Sequence, residues 1–251
     1  MNASASTASL TAELRPGVLR PDWSMITLPG ARRTLQRRLE AQPDGLARWA
    51  GLDPEHDRAL QAILGLFRDR EGAPDVRVVA RAVDRSLEET QRVLQALQAR
   101  DLVVLDAATT AVVATYPFTS DRTGHQVTIG RRTRNALCAI DALGTGAMCG
   151  HDTVITSPCA WCQAPISVET RDNGRDLRSV TPVGSVVWYT LAFDGRVAQS
   201  CCPSTVFFCD DAHLDRWATA SRSPRHGDRL TVAEAFEIGV ALFGPLLRKM
   251  A

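Results

Sequence analysis

The spacing of the apolar residues changes near Tyr116, and this change divides the chain into a helical part and a strand-rich part. Before Tyr116, apolar residues recur every three or four positions, which is the period of one helix face. After it, short apolar runs are separated by turn residues, which favours β-strands. Strands and helices do not alternate strictly, so the sequence predicts an α+β fold rather than a doubly wound parallel sheet.

Residues 55–115 have the pattern of a winged-helix domain, with three helices followed by a hairpin. Apolar residues at helical spacing mark the first two helices: Leu60, Ile63, Leu64, Phe67, Val76, Val79, Ala80 and Val83. A capping box at 86–89 begins a third helix. The apolar face of this helix is expected to bury four residues: Leu87, Val93, Leu94 and Leu97. Two β-rich runs, 102–105 and 111–116, predict the hairpin.

A winged-helix domain often binds DNA through its third helix. Here that helix offers few polar side chains: Gln91, Arg92, Gln95, Gln98 and Arg100. The chain has 29 basic and 28 acidic residues and a net charge of +1. This balance gives no general attraction to nucleic acid or to an anionic membrane. We therefore expect no nucleic-acid partner, and a structural role for this domain is at least as well supported.

Residues 1–54 are interpreted as a leader followed by a short helix. The leader, 1–30, is rich in Ala, Ser, Thr and Pro and is expected to be mobile, with Trp23 docked on the body. The helix, within 31–50, carries a basic run expected to be a solvated face: Arg32, Arg33, Arg37 and Arg38. No apolar run approaches the roughly 18 residues that cross a bilayer, and no secretory signal is recognisable. The sequence thus predicts a cytoplasmic protein with no membrane partner.

Residues 116–251 are predicted to form a mixed, mainly antiparallel sheet domain flanked by helices. Apolar runs predict strands at 127–129, 154–156, 166–168, 185–193 and 206–208. A helix is predicted over 133–149, ending at Gly150. A second capping box at 231–234 begins a C-terminal helix that ends or bends near Gly244 and Pro245.

Cysteine is concentrated in this second part of the chain. All seven cysteines lie there: Cys138, Cys149, Cys159, Cys162, Cys201, Cys202 and Cys209. An odd number of cysteines in a reducing compartment argues against a disulfide framework. It favours thiol chemistry or metal binding instead.

Cys138 and Asp141 are three residues apart on a predicted helix, so their side chains share one face. The N-terminal end of a helix favours a thiolate, and a neighbouring carboxylate can accept the thiol proton. A packed thiol and a surface carboxylate would give the same spacing. Cys201 and Cys202 precede the strand at 206–208, where adjacent side chains would point to opposite faces. Two thiols and a carboxylate together favour a thiophilic ion such as Hg(II), Cu(I) or Zn(II).

Cys159 and Cys162 form a CxxC motif. A zinc ribbon would have a second CxxC further along the chain, and the later cysteines do not have that spacing. A thioredoxin-like role would need a preceding βαβ unit, which the sequence lacks. Zinc binding is therefore only weakly indicated. Two buried thiols at a tight turn are the simplest interpretation.

Three segments, taken in order, resemble the organomercurial (alkylmercury) lyase family. They are Cys138-Ala139-Ile140-Asp141-Ala142-Leu143-Gly144, then Ser157-Pro158-Cys159, then Cys202-Pro203 ahead of Phe207-Phe208. The resemblance covers about residues 55–250. It implies that Cys138 and Cys202 bind mercury, that Asp141 transfers a proton and contacts the Hg(II) product, and that Cys159 has a structural role. The chain departs from the family pattern in its leader, in Asn135 where an aromatic is common, and in the additional thiols of Cys162 and Cys209.

The resemblance further implies protonolytic cleavage of a carbon–mercury bond, with release of a hydrocarbon and Hg(II), as a step in mercury resistance and detoxification. No cofactor is expected. Low-molecular-weight thiols would remove the ion, and a mercuric reductase would receive it. Two other interpretations stay open: a metal-responsive DNA-binding regulator, and a non-catalytic heavy-metal-binding protein.

Overall fold

The computed structural model describes residues 23–41, 52–191, 193–221 and 225–247. The helices lie at Pro29–Ala41 (α1), Pro54–Asp69 (α2), Val76–Val83 (α3), Leu87–Ala99 (α4), Ala139–Cys149 (α5), Val197–Ser200 (α6), Asp211–Thr219 (α7) and Val232–Phe243 (α8). The strands lie at Val103–Leu105 (β1), Val112–Thr115 (β2), Phe118–Thr119 (β3), Gln126–Ile129 (β4), Arg132–Ala136 (β5), Thr153–Pro158 (β6), Pro165–Arg171 (β7), Asp176–Thr181 (β8), Val186–Thr190 (β9), Val206–Phe208 (β10) and Gly227–Thr231 (β11). The predicted α+β class is confirmed.

The helices α2, α3 and α4 and the β1–β2 hairpin follow one another as the winged-helix pattern predicts. Asp53 and Asp75 cap α2 and α3, and Ser86 with Glu89 forms the predicted capping box of α4. Leu87 was expected to be buried, but its side chain is 46% exposed. It is the first residue of α4, and the buried face begins at Thr90.

The strands form two sheets. The larger has the order β1-β2-β3-β5-β4-β6-β7-β8, and the smaller has the order β10-β9-β11. Every strand pair among the described residues is antiparallel. The hairpin of the N-terminal part pairs with β3 and so continues into the larger sheet. Strands from before and after residue 116 therefore belong to one sheet. The division of the chain into two domains near residue 116 stays a prediction.

Four segments differ from the sequence prediction. Residues 133–136 belong to β5 rather than to a helix, because the chain turns back at Gly130 and pairs with β4. The strand predicted at 185–193 is shorter and ends at Thr190. Strands β8 and β11 were not predicted, because both are largely polar and partly exposed and so lack an apolar run.

Residues 23–28, which precede α1, pack on α8. Trp23 and Met25 lie partly buried against the core, as expected for Trp23. The Glu237 carboxylate accepts hydrogen bonds from the amides of Thr27 (2.9 Å) and Leu28 (2.8 Å), which holds the start of α1. The leader residues 1–22 and residues 42–50 of the predicted helix lie outside the described residues. Within the described ranges, no helix has the length and apolar character needed to cross a bilayer.

Helix α5 is buried along its whole length and crosses α8 at a pair of glycines. A Cβ atom at Gly239 would lie 2.8 Å from the backbone nitrogen of Gly144 and 2.8 Å from the carbonyl oxygen of Ile140. Both distances are too short for real side chains, and the obstructing atoms are backbone. Helices α5 and α8 can therefore approach this closely only because neither Gly144 nor Gly239 has a side chain.

We expect Gly239→Ala to lower the free energy of unfolding by about 1–3 kcal/mol, because overpacking forces α5 and α8 apart. Gly65→Ala in α2 is the matched control, since a Cβ atom there meets nothing within 4 Å. The control should raise stability by about 0.5–1 kcal/mol through helix propensity. Urea denaturation of both variants measures the difference, and equal effects would rule out a close crossing.

Candidate functional site

Cys138, Asp141 and Cys202 come together at the start of α5, and we call them the triad. One ligand atom from each lies within 4.8 Å of the others. Cys138 is the N-cap of α5, and its Sγ accepts a hydrogen bond from the Asp141 amide at 3.5 Å. The Cys202 thiol donates to Asp141 Oδ2 at 3.6 Å. The structure thus brings the two thiols and the carboxylate named from the sequence into one cluster.

Cys202 reaches the triad from a different part of the fold. It begins a 3-10 turn, Cys202–Ser204, that leads into β10. The next residue, Thr205, accepts a hydrogen bond through its carbonyl from the Ala139 amide at 3.0 Å. This backbone contact ties the turn to the first residue of α5. The position of Cys202 beside Cys138 therefore depends on tertiary packing that sequence spacing does not show.

The triad is almost inaccessible, with Cys138, Asp141 and Cys202 exposed by 4%, 2% and 3%. Burial raises the pKa of Cys138 to about 12; the Asp141 carboxylate adds to the rise, and a hydrogen bond from Cys202 opposes it. The hydrogen bond with Cys138, together with burial, raises the pKa of Cys202 well above its ordinary value. The sequence favoured a thiolate at this helix end, but loss of solvent outweighs the helix dipole. Both thiols are neutral at rest.

Cys201 points away from the triad. Its Sγ accepts a hydrogen bond from Arg38 Nη2 at 2.9 Å and lies 3.6 Å from the Thr190 carbonyl oxygen. The two adjacent cysteines were expected on a strand, but Cys201 ends α6 and Cys202 starts the 3-10 turn. Helical rotation between successive residues, rather than strand alternation, separates their side chains.

Arg38 is a residue of this region that the sequence did not single out. It lies on α1, donates to the Thr190 carbonyl oxygen at 2.7 Å, and its guanidinium lies 4.3 Å from the centre of the Tyr189 ring. Burial opposes its charge, but Tyr189, Cys201 and Cys138 together raise the pKa of Arg38. The expectation of a fully solvated basic face is therefore wrong for Arg38. A run of arginines carries no signal that one of them faces inward.

A second group, which we call the CCCH cluster, consists of Cys159, Cys162, Cys209 and His213. Their ligand atoms all lie within 4.8 Å of one another. Cys159 and Cys162 occupy the turn between β6 and β7, Cys209 follows β10, and His213 lies in the first turn of α7. The Cys159 side chain is fully buried, and Cys162 is exposed.

Backbone amides surround the Cys159 sulfur. Burial acts to raise the pKa of this thiol, but hydrogen bonds from the amides of Cys162, Cys209 and Trp161 lower it to about 7. The sequence prediction considered only a second CxxC as the partner of Cys159 and Cys162, and so did not include His213. The spacing of four residues between Cys209 and His213 was nevertheless a signal for this site. A side chain in the first turn of a helix leans back toward the residues that precede the helix, which brings His213 toward the cysteines.

Comparison with known proteins finds a described family similar to the segment that holds the triad. A family model described as alkylmercury lyase matches residues 118–244. Among solved structures, the mercury-bound form of MerB2 matches with a TM-score of 0.67 and 23% identity, covering 87% of this chain and 100% of that chain. The triad and the CCCH cluster both lie inside the segment matched by the family model, whereas Arg38 lies outside it.

The raised pKa of Cys138 leads to a titration test. We expect the difference in ultraviolet thiolate absorbance between the wild type and Cys138→Ser to stay near zero up to about pH 10, because burial keeps this thiol neutral. In denaturant the same difference should titrate near the ordinary value of about 8.5. A folded-state difference that rises below about pH 9 would contradict the buried, neutral thiol.

Proposed function

The chain belongs to the alkylmercury lyase family and is a lyase, and from this premise we propose that it cleaves the carbon–mercury bond of organomercurials by protonolysis. The products are a hydrocarbon and Hg(II). The observation that carries the proposal is the triad: two thiols and one carboxylate within 4.8 Å, all buried, and all inside the matched segment.

The composition of the triad suits this chemistry. Mercury is a soft, thiophilic metal, and two cysteine sulfurs are the ligands it prefers. The carbon bonded to mercury is electron-rich and accepts a proton once sulfur coordinates the metal. A carboxylate beside both thiols can carry that proton. Because the site is buried, its groups keep their positions relative to one another, which lowers the entropic cost of the reaction.

The proposed reaction starts with exchange at mercury. Cys138 displaces the thiol that accompanies R–Hg, and its own proton leaves with that thiol. We assign this step to Cys138 because its sulfur accepts a hydrogen bond from the Asp141 amide, which favours the ionised form, whereas the Cys202 thiol donates its proton to Asp141. The product is Cys138 bound to R–Hg through sulfur.

Cys202 and Asp141 complete the cycle. The Cys202 thiol, which already donates to Asp141 Oδ2, passes its proton to that carboxylate and binds mercury as the thiolate. Two sulfurs then share the metal and increase the electron density on carbon. The Asp141 carboxyl group gives the proton to carbon, R–H leaves, and Hg(II) stays bound to Cys138 and Cys202 while Asp141 returns to the carboxylate.

Turnover requires removal of the ion. We propose that low-molecular-weight thiols extract Hg(II), that a mercuric reductase is the recipient, and that the chain works in the cytoplasm as part of mercury detoxification. The triad supplies both the metal ligands and the proton carrier, so the proposed reaction needs no cofactor.

The reaction is tested with reduced protein, phenylmercuric acetate and excess thiol, by following benzene in the headspace. We expect wild-type protein to release benzene and Cys138→Ser and Cys202→Ser to release none. Serine is a favoured N-cap, so Cys138→Ser should preserve α5 while removing the sulfur. Asp141→Asn should retain mercury but release benzene about 10²–10⁴-fold more slowly, as expected for loss of an acid–base group.

Cys149→Ser is the matched control, because Cys149 is a buried thiol outside the triad and the CCCH cluster. It should leave benzene release unchanged. Full activity of Cys138→Ser or Asp141→Asn would refute the assigned roles. Mercury binding by the wild type without benzene would instead support a heavy-metal-binding protein, and salt-dependent DNA binding by the same protein would support a regulator.

A further inference from the structure

We propose that Cys159, Cys162, Cys209 and His213 bind one structural Zn(II) ion, at a site separate from the triad. The residues come from three places in the chain, and the fold brings their ligand atoms within 4.8 Å of one another. The proposal does not depend on lyase activity, because none of the four residues belongs to the triad.

The distances fit a tetrahedron. Cys162 Sγ lies 3.7 Å from Cys209 Sγ, and Cys159 Sγ lies 3.7 Å from His213 Nδ1. These two pairs share no atom, so they correspond to opposite edges of a coordination tetrahedron. In tetrahedral zinc, with Zn–S bonds of about 2.3 Å, sulfurs lie about 3.8 Å apart, and a sulfur–nitrogen edge is slightly shorter. Two of the six edges therefore already have the length expected for a single zinc ion, and the other four are no longer than 4.8 Å.

The ligand atoms of the CCCH cluster favour zinc over hard cations. Three thiols and one imidazole are the ligands of closed, structural zinc sites. Hard cations such as Mg²⁺ and Ca²⁺ need oxygen ligands, which this group does not offer. The pair separation of 3.7 Å between Cys162 Sγ and Cys209 Sγ is also far longer than a disulfide bond of about 2.05 Å.

The backbone around the CCCH cluster is arranged as expected for bound thiolates. Amides of Trp161, Cys162 and Cys209 donate to the Cys159 sulfur. Such outer hydrogen bonds orient a ligand and balance its charge. The Asp210 carboxylate caps α7 by accepting from the His213 amide at 2.8 Å, and it lies 3.9 Å from His213 Nδ1. The cap fixes the first turn of α7 and so the base of the imidazole.

The proposed ion would join the two sheets. Cys159 and Cys162 belong to the β6–β7 turn of the larger sheet, and Cys209 directly follows β10 of the smaller one. One backbone hydrogen bond already links these parts, from the Ala160 amide to the Phe207 carbonyl oxygen at 2.9 Å. Since β10 follows the turn that carries Cys202, zinc would also fix the distance between Cys202 and α5.

The direct test is metal analysis of reduced, zinc-reconstituted, full-length protein. We expect one zinc per chain by mass spectrometry, and X-ray absorption should show three sulfurs at about 2.3 Å and one nitrogen at about 2.0 Å. Zinc bound at the triad instead would show two sulfur ligands together with oxygen ligands in the absorption spectrum. Less than one tenth of an equivalent, or a two-sulfur spectrum, would overturn the proposal.

Variants separate ligand loss from misfolding. Cys162 is exposed, so Cys162→Ser should fold, as judged by circular dichroism, and lose the zinc. His213→Ala should lose it as well, whereas His213→Cys should restore one equivalent with four sulfurs. Cys149→Ser and Cys202→Ser should keep the wild-type content. Retention of zinc by Cys162→Ser and His213→Ala, or its loss in Cys202→Ser, would refute these ligands.

The structural role has its own measurement. Removing zinc from the wild type with a chelator should lower Tm to the value of Cys162→Ser and leave the Tm of that variant unchanged. Equal Tm values with and without zinc would overturn the structural role. Benzene release by zinc-free protein reports on the triad separately, so failure of the zinc proposal and failure of the lyase proposal are distinguishable.

Discussion

The close crossing of α5 and α8 at Gly144 and Gly239 is the contact on which the candidate site depends. It fixes the axis of α5, whose first turn carries Asp141 and whose N-cap is Cys138. Helix α8 begins directly after β11, so the same crossing also fixes the smaller sheet, where β10 follows the turn of Cys202. Both sides of the triad are therefore positioned by one helix pair.

Burial determines the chemistry available to the triad. Burial and the neighbouring groups raise the pKa of both Cys138 and Cys202, so each thiol keeps its proton. In the proposed reaction, coordination to mercury would ionise these thiols, since a metal displaces the thiol proton. The Asp141 carboxylate, hydrogen-bonded by the Cys202 thiol, is the nearest acceptor. In that reaction, the neutral triad would become a proton donor only once the metal is bound.

Local sequence signals predicted much of the fold but less of the site. The capping boxes at Ser86 and Thr231 and the apolar strand runs identify their elements because the signal lies within a few residues. The Cys138–Asp141 pair was visible for the same reason. Arg38 reaches its partners through tertiary packing and β8 lacks an apolar run, so a linear pattern could not show their places. The spacing of Cys209 and His213 was visible in the sequence, but only the fold brings His213 to Cys159.

The burial of the triad also has a kinetic consequence. A reagent can reach Cys138 only in molecules whose surrounding side chains have moved apart, as an amide proton exchanges only after local opening. When reagent is scarce and closing outruns reaction, the observed rate is the open fraction multiplied by the rate of the open form. When reagent is plentiful and reaction outruns closing, the rate of opening alone sets the rate at which Cys138 is modified. For the lyase reaction proposed above, the rate of opening is therefore an upper limit on the rate at which any organomercurial can be captured at Cys138.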